Sequence, residues 1–145
     1  NEMLTATYNS AFIDYNTPTI ISLGSKISRK YAMKTGSSGT DCYMIGYNPD
    51  ILMLVWNGYD DNRQMNPVDG NISKNIWVNT VEEYLKDKEA RWYDVPENVV
   101  GVPLDAITGN QADNDKKMYV YYYVKGSEYV NSEMEYEGNK ENITE

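Results

Sequence analysis

The chain has 145 residues, long enough for one domain with a sizeable core and short for two. Thirteen Lys and Arg against 22 Asp and Glu leave a net charge of -9, which argues against a nucleic-acid partner because phosphate binding needs clustered cations. There is no histidine and one cysteine, Cys42, so Cys-His and Ser-His-Asp catalysis, histidine-zinc sites and an internal disulfide are all excluded within this chain.

Thr17-Pro18 reads as an N-cap with proline at the first helical position, and Ile20, Leu23, Gly24 and Ile27 recur at helical spacing. A short helix over 18–28 is expected. Lys30 to Thr35, Cys42 to Tyr47 and Ile51 to Trp56 are apolar and aromatic runs bounded by Gly, Ser, Asn and Pro, the pattern of strands. The turns between them, Ser37-Ser38-Gly39-Thr40 and Asn48-Pro49-Asp50, are short enough to demand antiparallel neighbours. The third run is apolar without alternation, as for a strand covered on both faces, so helices are expected on both sides of the sheet.

After a polar loop, Ile72, Ile76, Trp77, Val81, Tyr84 and Leu85 form a stripe that predicts a helix over 72–88, with Glu82 placed to pair Lys86. Val99 to Asp105 and Met118 to Val124 read as two further strands around a Thr108-Gly109-Asn110 turn region. In the second of these, alternation turns Tyr121 and Tyr123 to a core and Tyr122 to water, which is preferred to a carbohydrate-binding aromatic strip. No apolar run approaches the roughly 20 residues that span a bilayer. The fold class is therefore α+β, an antiparallel sheet with helices packed on its faces. Residues 1–95 would form its main part, 96–130 a C-terminal β extension and 131–145 a flexible acidic tail.

Chemistry concentrates at Lys34-Thr35-Gly36-Ser37, where the strand pattern meets a turn. Lys34 would project a cation toward a cleft, Thr35 and Ser37 supply hydroxyls, and Gly36 removes a side chain where a substrate backbone must approach. Together these can hold a carboxylate, and the Ser37 backbone N–H can serve an oxyanion hole. Lys-Thr-Gly joins Ser-x-x-Lys and Ser-Asp-Asn in the signature of penicillin-binding proteins and class A β-lactamases.

The surroundings extend the pattern. Tyr31 to Ser38, Asp41 to Asp50, Val55 to Arg63, Ile76-Trp77, Pro96, Val99 to Asp105, Thr108-Gly109 and Tyr123 to Glu128 resemble, in order and spacing, the end of the transpeptidase domain of class A penicillin-binding proteins. Two departures are a serine, Ser37, where the family usually has threonine, and Met33 where a small residue often precedes the lysine. The first keeps the hydroxyl.

The resemblance implies a serine-type D-alanyl-D-alanine transpeptidase that cross-links peptidoglycan stem peptides and is acylated by β-lactam antibiotics. Lys34 would be its catalytic cation, and Thr35, Gly36 and Ser37 would bind substrate, with no metal and no cofactor. No serine here has lysine three positions later, so the nucleophile would come from the remainder of the domain and this chain would be inactive alone. The parent protein would work at the extracytoplasmic face of a bacterial membrane. An alternative is a non-catalytic module, derived from that fold, that binds cell-wall peptide or a protein.

Three further features are read conservatively. Ser73-Lys74-Asn75 fits Ser-x-Asn but follows Lys34 and falls in the first turn of a predicted helix, so it is taken as a cap. Cys42 is expected to be a small buried thiol. Asp60-Asp61-Asn62 lacks the glycine and glutamate of a calcium-binding EF-hand loop and reads as solvated.

Overall fold

The structure is a computed structural model that describes residues 1–110 and 117–128. The expected acidic tail lies outside the described residues. The chain divides into two compact units, one of residues Asn1–Asn9 and Thr17–Tyr93, the other of Ser10–Asn16 with the described residues from Asp94 onward.

The first unit is built on three antiparallel strands, β1 (Ala32–Ser37), β2 (Asp41–Asn48) and β3 (Ile51–Gly58), in that spatial order. Both turns are pinned by short polar side chains. Ser38 N–H donates to the Asp41 carbonyl at 2.9 Å, while the Asp41 carboxylate accepts from the hydroxyls of Thr40 at 2.7 Å and Ser38 at 3.0 Å. At the other end, Asn48 Oδ1 accepts from the N–H groups of Asp50 at 2.9 Å and Ile51 at 3.2 Å. These Asx-type bonds set the register Met33↔Gly46 and Gly46↔Met53.

Alternation then sorts the sheet into two faces. Met33, Met44, Gly46 and Val55 face the helix α1 (Gly70–Leu85) and form the core with Ile20, Leu23, Tyr31, Trp77, Val78, Val81 and Leu85. Trp77 is the central piece. Its ring lies so close over Gly46 that a Cβ there would stand 2.3 Å from Trp77 Cζ2, and its Nε1 donates to the Met53 carbonyl at 3.0 Å. Glycine at 46 is thus a packing requirement rather than a turn device.

The opposite face departs from expectation. Leu52, Leu54 and Trp56 are 68%, 53% and 45% exposed, so β3 is covered on its α1 face alone among the described residues. Its unbroken apolar run reflects residues that this chain leaves open, not a second layer of helix.

Two other local expectations change. Over 18–28 there is no regular helix, only a 3₁₀ turn at Ile21–Leu23 flanked by tight turns. The backbone donates three residues back, as in Leu23 N–H to the Ile20 carbonyl at 2.9 Å, while Ile20 N–H is taken by the Thr7 carbonyl at 2.9 Å. Ile20 and Leu23 are buried, so their spacing of three served a tight turn. In α1 the existence of the helix is as read, but its buried stripe is Ser73, Trp77, Val78, Val81 and Leu85, while Ile72, Ile76 and Tyr84 are exposed. Ser73 is 1% exposed and lies within the helix, so it is not a cap. Lys86 pairs with Glu83 rather than Glu82. Glu82 instead accepts from Tyr31 Oη at 2.8 Å and Ser28 N–H at 3.0 Å, and burial together with that carboxylate pushes the Tyr31 hydroxyl well above the usual phenol range.

The second unit contains the hairpin β4 (Val99–Asp105) and β5 (Met118–Val124), antiparallel with Val102 opposite Tyr121. Both strands have the bounds expected. Tyr119 is buried against Phe12, ring centroids 4.9 Å apart and edge to face, and Tyr121 Oη donates to the Ala106 carbonyl at 2.7 Å. Tyr122 points outward, as alternation requires. Asp105 ends β4 by accepting from Ile107 N–H, Thr108 N–H and Thr108 Oγ1 at 3.0, 2.8 and 3.1 Å. Those backbone donors, first Thr108, hold its carboxyl below the usual range.

Candidate functional site

Lys34-Thr35-Gly36-Ser37 lies on β1, an edge strand among the described residues. Because Ser38 N–H points to β2, the alternating groups of residues 31, 33, 35 and 37 point out of the sheet's free edge. The N-terminal 3₁₀ segment (Glu2–Tyr8) closes one end of that edge. Thr7 Oγ1 donates to the Met33 carbonyl at 3.1 Å, and Tyr8 Oη both donates to the Tyr31 carbonyl at 3.0 Å and accepts its N–H at 3.3 Å. Lys34 Nζ covers the Thr35 carbonyl at 2.7 Å. Beyond it the Ser37 backbone faces outward.

A cavity of about 580 Å³ opens at this end, walled by Thr35, Gly36 and Ser37 on one side and by Asn66, Asn71 and Lys74 on the other. Its far wall is held in place by the loop before α1. Met65 N–H donates to the Gly39 carbonyl at 2.9 Å, Asn57 Nδ2 donates to the Asp69 carbonyl at 3.2 Å, and Tyr59 Oη donates to Asp69 Oδ2 at 3.0 Å. Among the described residues none that lines the cavity is acidic.

The four sequence-predicted residues do not all meet there. Thr35, Gly36 and Ser37 line the cavity, whereas Lys34 is exposed on the opposite face of the strand and is absent from the wall. Gly36 has ordinary backbone angles, and a Cβ on it would meet Tyr43 Cβ at 3.7 Å, a normal contact. Its missing side chain is therefore not demanded by packing. Met33 is fully buried beside Gly46, so the bulk that departs from the family pattern enters the core rather than the cavity.

Two cavity residues had no functional reading from sequence. Thr19 Oγ1 accepts from Thr35 Oγ1 at 3.2 Å, and the Thr19 carbonyl accepts from Lys74 Nζ at 2.9 Å. The available signal for Lys74 is its place in Ser73-Lys74-Asn75, a pattern that suggests a cap. Cys42 also reaches the cavity and is half-buried, not enclosed as expected. In the Asp60-Asp61 loop, Arg63 sits 3.9 Å over the Tyr59 ring, and among the described residues no cluster of three metal-ligating side chains occurs. No helix among the described residues is long and apolar enough to cross a membrane.

No protein-family model matches the chain. Penicillin-binding protein 2D of Bacillus subtilis is 31% identical over 131 residues, 89% of this chain and 19% of that protein. Penicillin-binding protein 1A of Neisseria meningitidis is 34% identical over 73 residues, 48% of this chain and 9% of that protein. The crystal structure of penicillin-binding protein 1A from Haemophilus influenzae shares the fold, with a TM-score of 0.68 and 24% identity over 88% of this chain and 20% of that one. The chain spans about a fifth or less of the length of these relatives. Thr35, Gly36 and Ser37 at an open strand edge, the α+β fold and these likenesses agree: the chain belongs to the class A penicillin-binding proteins, as part of their transpeptidase domain.

Proposed function

We propose that this chain supplies one wall of the cleft of a serine DD-transpeptidase, and that the remainder of the domain supplies the nucleophile. The observation that carries the reading is the open Thr35–Ser37 end of β1, where an outward-facing backbone, two hydroxyls and a glycine free of packing duties border a cavity. A peptide's terminal carboxylate would bind the hydroxyls of Thr35 and Ser37, and the Ser37 N–H would stabilise the oxyanion formed when the serine attacks the scissile carbonyl. Lys34 would set the field and proton traffic around that serine from the other face of the strand. The acyl-enzyme would expel D-alanine and pass its acyl group to an amine on a neighbouring peptidoglycan stem, which links the activity to cell-wall strength and cell shape. β-Lactams would acylate the same serine.

The uncovered face of the sheet supports the need for a partner segment. Tyr43, Leu52, Leu54 and Trp56 form an apolar surface next to an edge of β3 that no other described strand pairs, a surface that a larger domain would cover. The parent protein would act outside the cytoplasmic membrane, where peptidoglycan lies.

A fluorescent penicillin tests both halves of the reading. The parent protein should give a labelled band in a denaturing gel, weakened at least tenfold by Lys34→Ala, and the 145-residue chain alone should give none. A labelled band from the isolated chain would refute its incompleteness. A parent sequence without Ser-x-x-Lys and Ser-x-Asn ahead of residue 1 would favour a non-catalytic binding module.

A further inference from the structure

We infer that Lys74 is the cation of the Thr35–Ser37 cavity and that it makes this cavity selective for a carboxylate. The inference rests on the reading of Thr35 and Ser37 as substrate-binding residues and adds to it a charge that the Lys-Thr-Gly pattern does not contain.

Lys34 cannot fill this role from where it stands. It lies on the opposite face of β1, and its ammonium is turned back on the Thr35 carbonyl at 2.7 Å. Lys74 is on the cavity wall, half-buried, and its ammonium donates to the Thr19 carbonyl at 2.9 Å. The same Thr19 accepts from the Thr35 hydroxyl at 3.2 Å, so one residue ties the ammonium to the hydroxyl that would meet the ligand. An ammonium carries three donors, and the neutral carbonyl of Thr19 occupies one.

Among the described residues the charge is also uncompensated. No ion pair to Lys74 occurs among them, and no acidic side chain among them lines the cavity. A partly desolvated cation without a counter-ion draws an anion to it. One point charge with neutral hydroxyls and amides from Thr35, Ser37, Asn66 and Asn71 suits a singly charged carboxylate. A phosphate would call for several cations or an arginine fork, and the described residues of the wall supply neither.

The test follows the backbone amide resonances of the 145-residue chain during titration with N-acetyl-D-alanyl-D-alanine, its C-terminal amide, N-acetyl-L-alanyl-L-alanine, acetate and inorganic phosphate. Saturable shifts at Thr35, Ser37 and Asn71 are expected with the free carboxylate, and the amide should bind about tenfold more weakly, a loss of ~1.4 kcal/mol. Lys74→Gln should abolish the preference for the carboxylate, Lys74→Arg should restore most of it, and Lys26→Gln should keep it. Lys26 is the charge control, since it binds Asn75 Oδ1 at 3.2 Å and is not part of the wall. Equal binding of acid and amide by the unaltered chain, an undiminished preference in Lys74→Gln, or tighter binding of phosphate would each overturn the inference. If acetate and the L,L-dipeptide bind as tightly as the D,D-dipeptide and all depend on Lys74, the carboxylate site stands and the stem-peptide reading falls.

Discussion

The two faces of the three-stranded sheet both carry apolar residues and are treated differently by the chain. Against α1, Met33, Met44 and Val55 close around Trp77 with so little slack that position 46 must lack a side chain. On the other face Tyr43, Leu52, Leu54 and Trp56 stand open, and the ordered contact there is polar: Trp56 Nε1 donates to Asp41 Oδ1 at 2.8 Å. The contrast separates residues that make this chain fold from residues kept for an assembly larger than it. Stability and function should therefore respond to substitutions on different faces.

The largest break is expected at Trp77→Ala, which empties the centre of the covered face and should cost about 3–5 kcal/mol, read as a fall in the urea midpoint. Gly46→Ala comes next. Its new Cβ would collide with an indole that cannot leave without losing its bond to Met53, for a cost of about 1–3 kcal/mol by the same measurement.

Acid should loosen the open face before the covered one. Hydrogen bonds from Thr40, Trp56 and Ser38 hold the Asp41 carboxyl below the usual carboxylate range. A depressed value means that its contribution is complete above the unfolded carboxylate range and is lost as pH falls through the lowered folded value. Fluorescence of a chain keeping only Trp56 should change on acidification, and Asp41→Asn should flatten that change. An identical acid profile in the Asn variant would show that the tie carries no stability. The smallest effect is expected from Leu54→Lys, within about 0.5 kcal/mol of the unaltered chain because its side chain is already in water. The same substitution in the parent protein should sharply reduce labelling by penicillin if the open face is covered there.

The strands were legible because alternation and short turns leave few choices, and β4 and β5 have the bounds that their residues suggested. The helix α1 was legible as a helix but not in its orientation. Ile72–Ile76 and Ser73–Trp77 are adjacent stripes of the same spacing, and the space over Gly46 on a distant strand decides which one is buried. The site divides in the same way. Thr35, Gly36 and Ser37 are a contiguous motif, whereas Lys74 and Thr19 reach the cavity only through tertiary structure; Thr19 has no local pattern, and that of Lys74, Ser73-Lys74-Asn75, suggests a cap. Lys34 shows the limit of a motif read without its pleat, since neighbours in sequence fall on opposite faces.

Thr19 owes its part in this arrangement to the irregularity of the segment around it. In an α-helix over 18–28 its carbonyl would be bound by the N–H of the residue four positions on, which is Leu23. Leu23 instead donates to Ile20, and the Thr19 oxygen is left to Lys74. The serines and glycine that make this stretch a poor helix former therefore keep an acceptor in reserve. Alanines at Ser22 and Ser25 would favour winding the segment up, and the cavity would lose its anchor for Lys74 although no wall residue had been changed.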